Sequence, residues 1–196
     1  MSHLFAPLAL GPLQLSNRIV VAPMCQYSSV DGEANDWHVQ HWGTLSQSGA
    51  SLLITEATAV ESAGRISWAD LGLYDDATEA AFARALASVR RWSPMPVGVQ
   101  LAHAGRKAST LKPWEAGGGA IADGDPRGWE VVAPSAIPYD AASPLPRALD
   151  QAGIDGVVAA FAEAARRAAR LGLDLIEVHA AHGYLLHQFL SPLSNQ

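Results

Sequence analysis

The sequence predicts an α/β fold of parallel βαβ units, and three observations carry that prediction. Short apolar runs alternate with amphipathic segments along most of the 196 residues, the pattern of strands joined by crossover helices. The runs end on polar or reactive residues: Cys25 and Tyr27, Glu56 beside Ala57, Gln100 and His103, His179 and His182. Right-handed crossovers put the C-terminal ends of parallel strands on one face, so these groups are expected to converge there. Four such units make half of a TIM (β/α)₈ barrel, which typically needs ~250 residues.

Each element follows from its residues. Leu8–Leu10 and Leu13–Leu15 flank Gly11-Pro12, which predicts an N-terminal hairpin. Arg18 to Ala22 is β-branched and apolar, the first buried strand. Asp31-Gly32 marks a turn in the loop that follows. Residues 36–48 read as a helix capped by Asn35 or Asp36, with His38, Trp42 and Leu45 on one face and Gly49 as its stop. Residues 51–55 form the second strand, ending at Glu56-Ala57. Thr78 caps a helix over 79–92 with an apolar stripe of Phe82, Leu86 and Val89. Pro94 and Pro96 end it, and 97–101 is the third strand.

Residues 110–149 are rich in glycine and proline. A loop that long is expected to be a lid, a binding loop or a disordered segment. Residues 151–171 carry apolar positions at Val157, Phe161, Ala164, Ala168 and Leu171, stepping by four, three, four and three. That periodicity predicts a long helix, stopped by Gly172. Residues 174–178 form a fourth buried strand, and after Tyr184 a short helix is expected through Leu190, cut by Pro192.

Composition excludes several classes. The net charge of −6 comes with no basic patch and no zinc-finger spacing, so nucleic acid is not expected as a partner. No apolar run approaches the ~20 residues of a membrane span. The first residues lack the charged and apolar regions of a signal peptide. A single cysteine, Cys25, excludes an internal disulfide framework. The expectation is a soluble, cytoplasmic protein.

The densest chemistry lies at His179-Ala180-Ala181-His182-Gly183-Tyr184. Two imidazoles at a strand mouth can donate to one oxygen, and Tyr184 adds a phenol. A zinc-dependent hydrolase barrel using His179, His182 and Glu177 or Glu56 is an alternative. A non-catalytic barrel fragment is another. His38 and His41 are expected to pack or cap, and Phe82 and Phe161 to fill core.

Three stretches carry a family resemblance. They are Ala22-Pro23-Met24-Cys25-Gln26-Tyr27, Gln100-Leu101-Ala102-His103-Ala104-Gly105-Arg106-Lys107, and His179 through Pro192. In order and spacing they resemble the Old Yellow Enzyme family, and in particular its thermophilic-like NADPH dehydrogenase branch. The resemblance covers the whole chain but only the family's N-terminal half. It implies an FMN-containing (β/α)₈ barrel that takes hydride from NADPH and reduces activated C=C bonds of enones and related small molecules. It implies cofactor contacts from Ala22, Pro23, Met24, Cys25, Ala57 and Gln100. It implies substrate contacts from Tyr27, His179, Ala180, Ala181 and His182, with Tyr184 as proton donor and no metal. Arg106 is open between supporting the flavin and a structural ion pair, and His103 is equally open. The family's phosphate site and later strands lie beyond Gln196. Residues 1–196 alone are therefore expected to bind FMN weakly or not at all, to show no appreciable NADPH-dependent enone reduction and to associate, and the full-length protein to be a homo-oligomer.

Overall fold

The computed structural model describes residues 2–196. The hairpin forms as expected: β1 (Leu8–Leu10) and β2 (Leu13–Leu15) pair antiparallel with Leu8 opposite Leu15. Gly11 turns the chain at φ 58, a conformation glycine adopts without a Cβ penalty.

The first parallel strand differs from expectation. Only Val20–Val21 is strand, β3, and Val20 is 41% exposed rather than buried. β3 is a sheet edge with β4 on one side only, and Pro23, just beyond it, has no N–H for a ladder. Helix α1 (Asp36–Leu45) settles its cap in favour of Asn35, whose side chain accepts from the Trp37 N–H. His38 completes a capping box by accepting the Asn35 N–H at Nδ1. The helix stops at Leu45 rather than 48, and a short turn leads to Gly49 at φ 84.

β4 (Leu52–Ala59) is longer than the five residues expected. α2 (Asp76–Arg90) begins three residues before the expected start, because Asp75 is the cap and Thr78 is its reciprocal partner inside the first turn. β5 (Val97–Ala102) follows, then a 3₁₀ turn at Gly105–Lys107. The long loop is ordered: Thr110 donates to Ile66, Ile121 to Ser109 and Arg147 to Val131. Within it, β6 (Val132–Ala133) and β7 (Arg147–Ala148) make a two-residue parallel pair.

α3 (Gln151–Arg170) buries Val157, Ala164 and Ala168 as its periodicity requires, while Phe161 and Leu171 are half-buried. β8 (Leu175–Val178) and α4 (Leu185–Leu190) complete the described chain.

The main sheet is parallel, in the order β3-β4-β5-β8. Trp42, Leu53, Phe82, Leu86, Val97, Val99, Leu101 and Ala164 form one core between the sheet and α1, α2 and α3. β8 is not the fully buried strand expected. In-register pairing puts Ile176 beside Val99 and Val178 beside Leu101, so both face the helix layer. They are nonetheless 39% and 53% exposed, because α3 packs over β5. Among the described residues no helix is long and apolar enough to cross a membrane.

Candidate active site

Parallel pairing fixes which side chains meet at the strand mouths. Gln100 on β5 lies opposite Glu177 on β8, and its Nε2 donates to Glu177 Oε1 at 2.8 Å. Among the described residues the Gln100 Oε1 has no hydrogen-bond partner. Between β4 and β5 the register slips between Thr55 and Ala57. Such a bulge re-aims a side chain at a sheet's functional end. Here it lets Glu56 turn toward the Cys25–Tyr27 segment: Glu56 Oε2 accepts the Gln26 N–H at 2.9 Å. Its other oxygen lies 3.4 Å from His38 Nε2, both side chains being fully buried.

Beyond β8 the chain folds back into the histidine pair. Ala181 donates its N–H to His179 Nδ1 at 3.2 Å, which leaves the His179 proton on Nε2. That nitrogen faces His182 Nδ1 at 3.2 Å. The two rings stand edge to face, with centroids 5.0 Å apart, and the Tyr184 ring packs on His179 at 4.9 Å. Both facing nitrogens can donate to one oxygen when His182 carries a proton on Nδ1. His179 is buried and His182 is exposed, as are Ala180 and Ala181 at the rim. Burial, then His182 and Lys107, lower the His179 pKa, so the ring is a neutral donor near pH 7. Burial raises the Tyr184 phenol, which stays protonated.

Cys25 is half-buried and free. Burial, then the carboxyl groups of Asp70 and Glu56, raise its pKa against the opposing effect of the Ala57 backbone, so it is a thiol and not a thiolate. Tyr27 sits in the left-handed region at φ 51, and its phenol is pushed up to about 12 by burial. Its ring meets Trp114 of the long loop edge to face at 5.6 Å. From Ala22 to Cys25 the chain has no strand partner, and Ala22 and Met24 are open to solvent.

The two open questions in the Gln100–Lys107 stretch resolve differently. His103 is tied into the structure: its Nε2 donates to Glu61 Oε1 at 2.7 Å, and its Nδ1 accepts the Gly105 N–H. Among the described residues Arg106 makes no ion pair. Its Nη1 donates to the carbonyls of Ile137 and Pro138, anchoring the long loop. The zinc alternative loses its ligands, since Glu177 is bonded to Gln100 and Glu56 to Gln26. Among the described residues no group of three His, Cys, Asp or Glu is placed to hold a metal.

Several residues around the site carry little sequence signal. Asp70 is 1% exposed, held by the Ser67 N–H and hydroxyl, and its burial raises it to about 7. Trp114 and Tyr139 come from the long loop. The length of that loop marks it as functional without saying which aromatic reaches the site.

Comparison with known proteins gives the family of the chain. The model of the NADH:flavin oxidoreductase / NADH oxidase family matches residues 3–196. An NADH:flavin oxidoreductase of Gibberella zeae is 45% identical over all of this chain and 48% of its own length. An NADPH dehydrogenase of Listeria innocua is 46% identical over all of this chain and 53% of its own length. Among solved structures, morphinone reductase superposes with a TM-score of 0.83 at 32% identity, covering 98% of this chain and 52% of that one. Morphinone reductase in complex with tetrahydroNAD gives 0.84 at 31% identity, over all of this chain and 54% of that one. The chain spans about half the length of the curated relatives it matches. With a family model matched over nearly every residue, the chain belongs to the NADH:flavin oxidoreductase / NADH oxidase family.

Proposed function

We propose that this chain supplies the substrate cradle and flavin-facing residues of an FMN-dependent oxidoreductase that uses NADPH to reduce the C=C bond of α,β-unsaturated carbonyl compounds. The observation that carries the proposal is the pair of imidazole nitrogens, His179 Nε2 and His182 Nδ1, 3.2 Å apart beside the Tyr184 ring. An oxygen placed before that pair can accept from both. Reduction of an enone builds negative charge on its carbonyl oxygen, so two preset donors stabilise the transition state more than the ground state. Tyr184, kept protonated by burial, holds the proton that the α-carbon needs.

The residues fit an isoalloxazine. The segment from Ala22 to Cys25 runs without a strand partner, Gln100 keeps an acceptor oxygen for a ring edge, and Ala57 sits against the Cys25 sulfur. When bound, FMN supplies the hydride chemistry, with a nicotinamide as donor. The names of the relatives support both cofactors. Tyr27 lines the substrate side, with Trp114 over it.

The test is a titration of an intact, FMN-loaded enzyme containing this segment with a para-substituted phenol, followed by its charge-transfer absorbance. His179→Ala should weaken phenol binding and slow enone reduction by roughly 10²–10³, while flavin reduction by NADPH changes far less. Unchanged phenol affinity in that variant would reject the cradle.

A further inference from the structure

His182, one of the two donors in that cradle, is held in an uncommon backbone conformation. Its φ is 55, followed by Gly183 at 74. A left-handed residue with a Cβ persists only where its surroundings hold it. Glycine tolerates the second position, but His182 needs an external restraint. The turn supplies part of it, since Tyr184 donates its N–H to the Ala181 carbonyl and Gly183 donates to His187 Nδ1. The carbonyl of His182 itself is met by one group among the described residues, the Lys107 ammonium at 2.8 Å.

Lys107 is itself restrained. Its Nζ lies 4.9 Å from the centre of the Tyr184 ring and 4.9 Å from that of Tyr139. A cation between two aromatic faces is attracted to both. Its stem leaves the 3₁₀ turn Gly105–Lys107, which the β5–β8 pairing sets beside the histidine turn. Tyr139 belongs to the long loop, and the neighbouring Arg106 pins that loop at Ile137 and Pro138. One cation thus joins the cradle, the proton-donor ring and the loop over the site.

We propose that Lys107 is the positioning residue of the carbonyl cradle: held between Tyr139 and Tyr184, it fixes the His182 carbonyl and so the left-handed turn that aims the His182 ring at His179. Seating of the long loop, through Tyr139, then sets how well the two histidines are aligned. The proposal rests on the carbonyl-binding reading above. It differs from a direct role in substrate binding, because Lys107 acts through the backbone of His182 and is required whether or not a ligand is present. The Lys107 charge also helps keep His179 neutral, in line with this placement.

Two readouts separate these roles. In the FMN-loaded protein, Lys107→Met keeps the stem and removes the charge-assisted hydrogen bond. It should weaken phenol binding about tenfold, and Lys107→Arg, which can still donate and stack, should restore most of it. Tyr139→Leu should move affinity in the same direction by less. In the unliganded protein, the His182 ring resonances, assigned by their loss in His182→Gln, should shift in Lys107→Met and return in Lys107→Arg. Unmoved His182 resonances overturn the proposal, even if phenol affinity falls, since Lys107 would then act on the ligand directly. If the unsubstituted protein shows no phenol-dependent band, the carbonyl-binding reading fails. The clamp on His182 is still supported or overturned by the resonances alone.

Discussion

Asp70 lies beneath the site with its carboxyl raised from 3.8 to about 7, chiefly by burial. The folded state therefore binds a proton that the unfolded chain releases. The stability this gives is complete below about pH 4 and is lost as pH rises through about 7, because the folded protein must then hold a buried carboxylate. Unfolding by urea at a series of pH values should show stability falling across that window. Asp70→Asn, which keeps an oxygen for the Ser67 N–H and can turn its NH₂ to the Ser67 hydroxyl oxygen, should flatten the fall. A second expectation concerns Cys25, whose thiol burial keeps neutral. On the proposed reading, Cys25→Ala should leave FMN bound and move its midpoint potential. A net hydrogen bond of about 0.5–1.5 kcal/mol corresponds to about 10–30 mV for a two-electron couple. Potentiometry showing no change would return Cys25 to packing alone.

Elements place these residues, and two of them do so by local devices. The bulge in β4 is one: a single slipped residue frees Glu56 from the ladder so that it can hold the Gln26 N–H. The capping box of α2 is the other, with Asp75 accepting from the Thr78 N–H at 2.8 Å and Thr78 Oγ1 meeting the Asp75 N–H at 3.1 Å. α2 carries Phe82, Leu86 and Val89 into the core against β4 and β5. Asp75→Ala should cost about 1 kcal/mol, the usual worth of a cap, read as a shift in urea midpoint without a change in slope. A midpoint unmoved by Asp75→Ala would contradict the cap assignment. Sequence reasoning located α2 but put Thr78 at the cap. Two capping residues, Asp75 and Thr78, lie three apart in the same stretch, and only the backbone shows which of them is extended, at φ −142.

At the scale of the molecule, the sheet has two edges, β3 and β8. β8 also leaves Ile176 and Val178 uncovered on the side where helices pack on its neighbours. Parallel strands are ordinarily covered on both faces, and an open edge with apolar residues beside it favours association. A 196-residue polypeptide of this sequence should therefore self-associate in a concentration-dependent way. Val178→Lys should reduce that association in sedimentation experiments without disturbing the core, since Val178 is 53% exposed. Association unchanged by this substitution would place the contact elsewhere, with the exposed hairpin residue Leu10 and edge residue Val20 as the next surfaces to vary.

Sequence alone determined the alternation of strands and helices, the hairpin, α3, and which strand ends would share one face of the sheet. These follow from local periodicity, from turn residues such as Gly11 and Gly172, and from the fixed hand of βαβ crossovers. The tertiary structure alone decided which groups are spent on one another. Gln100 is tied to Glu177, Arg106 to loop carbonyls, His103 to Glu61, and Lys107 to His182. The positions in each of these pairs lie between 31 and 77 residues apart in the chain. No propensity or spacing rule connects side chains at that separation, and their meeting depends on strand register and on the path of the long loop. The same cause explains the exposure of Ile176 and Val178. An apolar run states that a strand is suited to burial, while the element that covers it is set by packing elsewhere in the molecule.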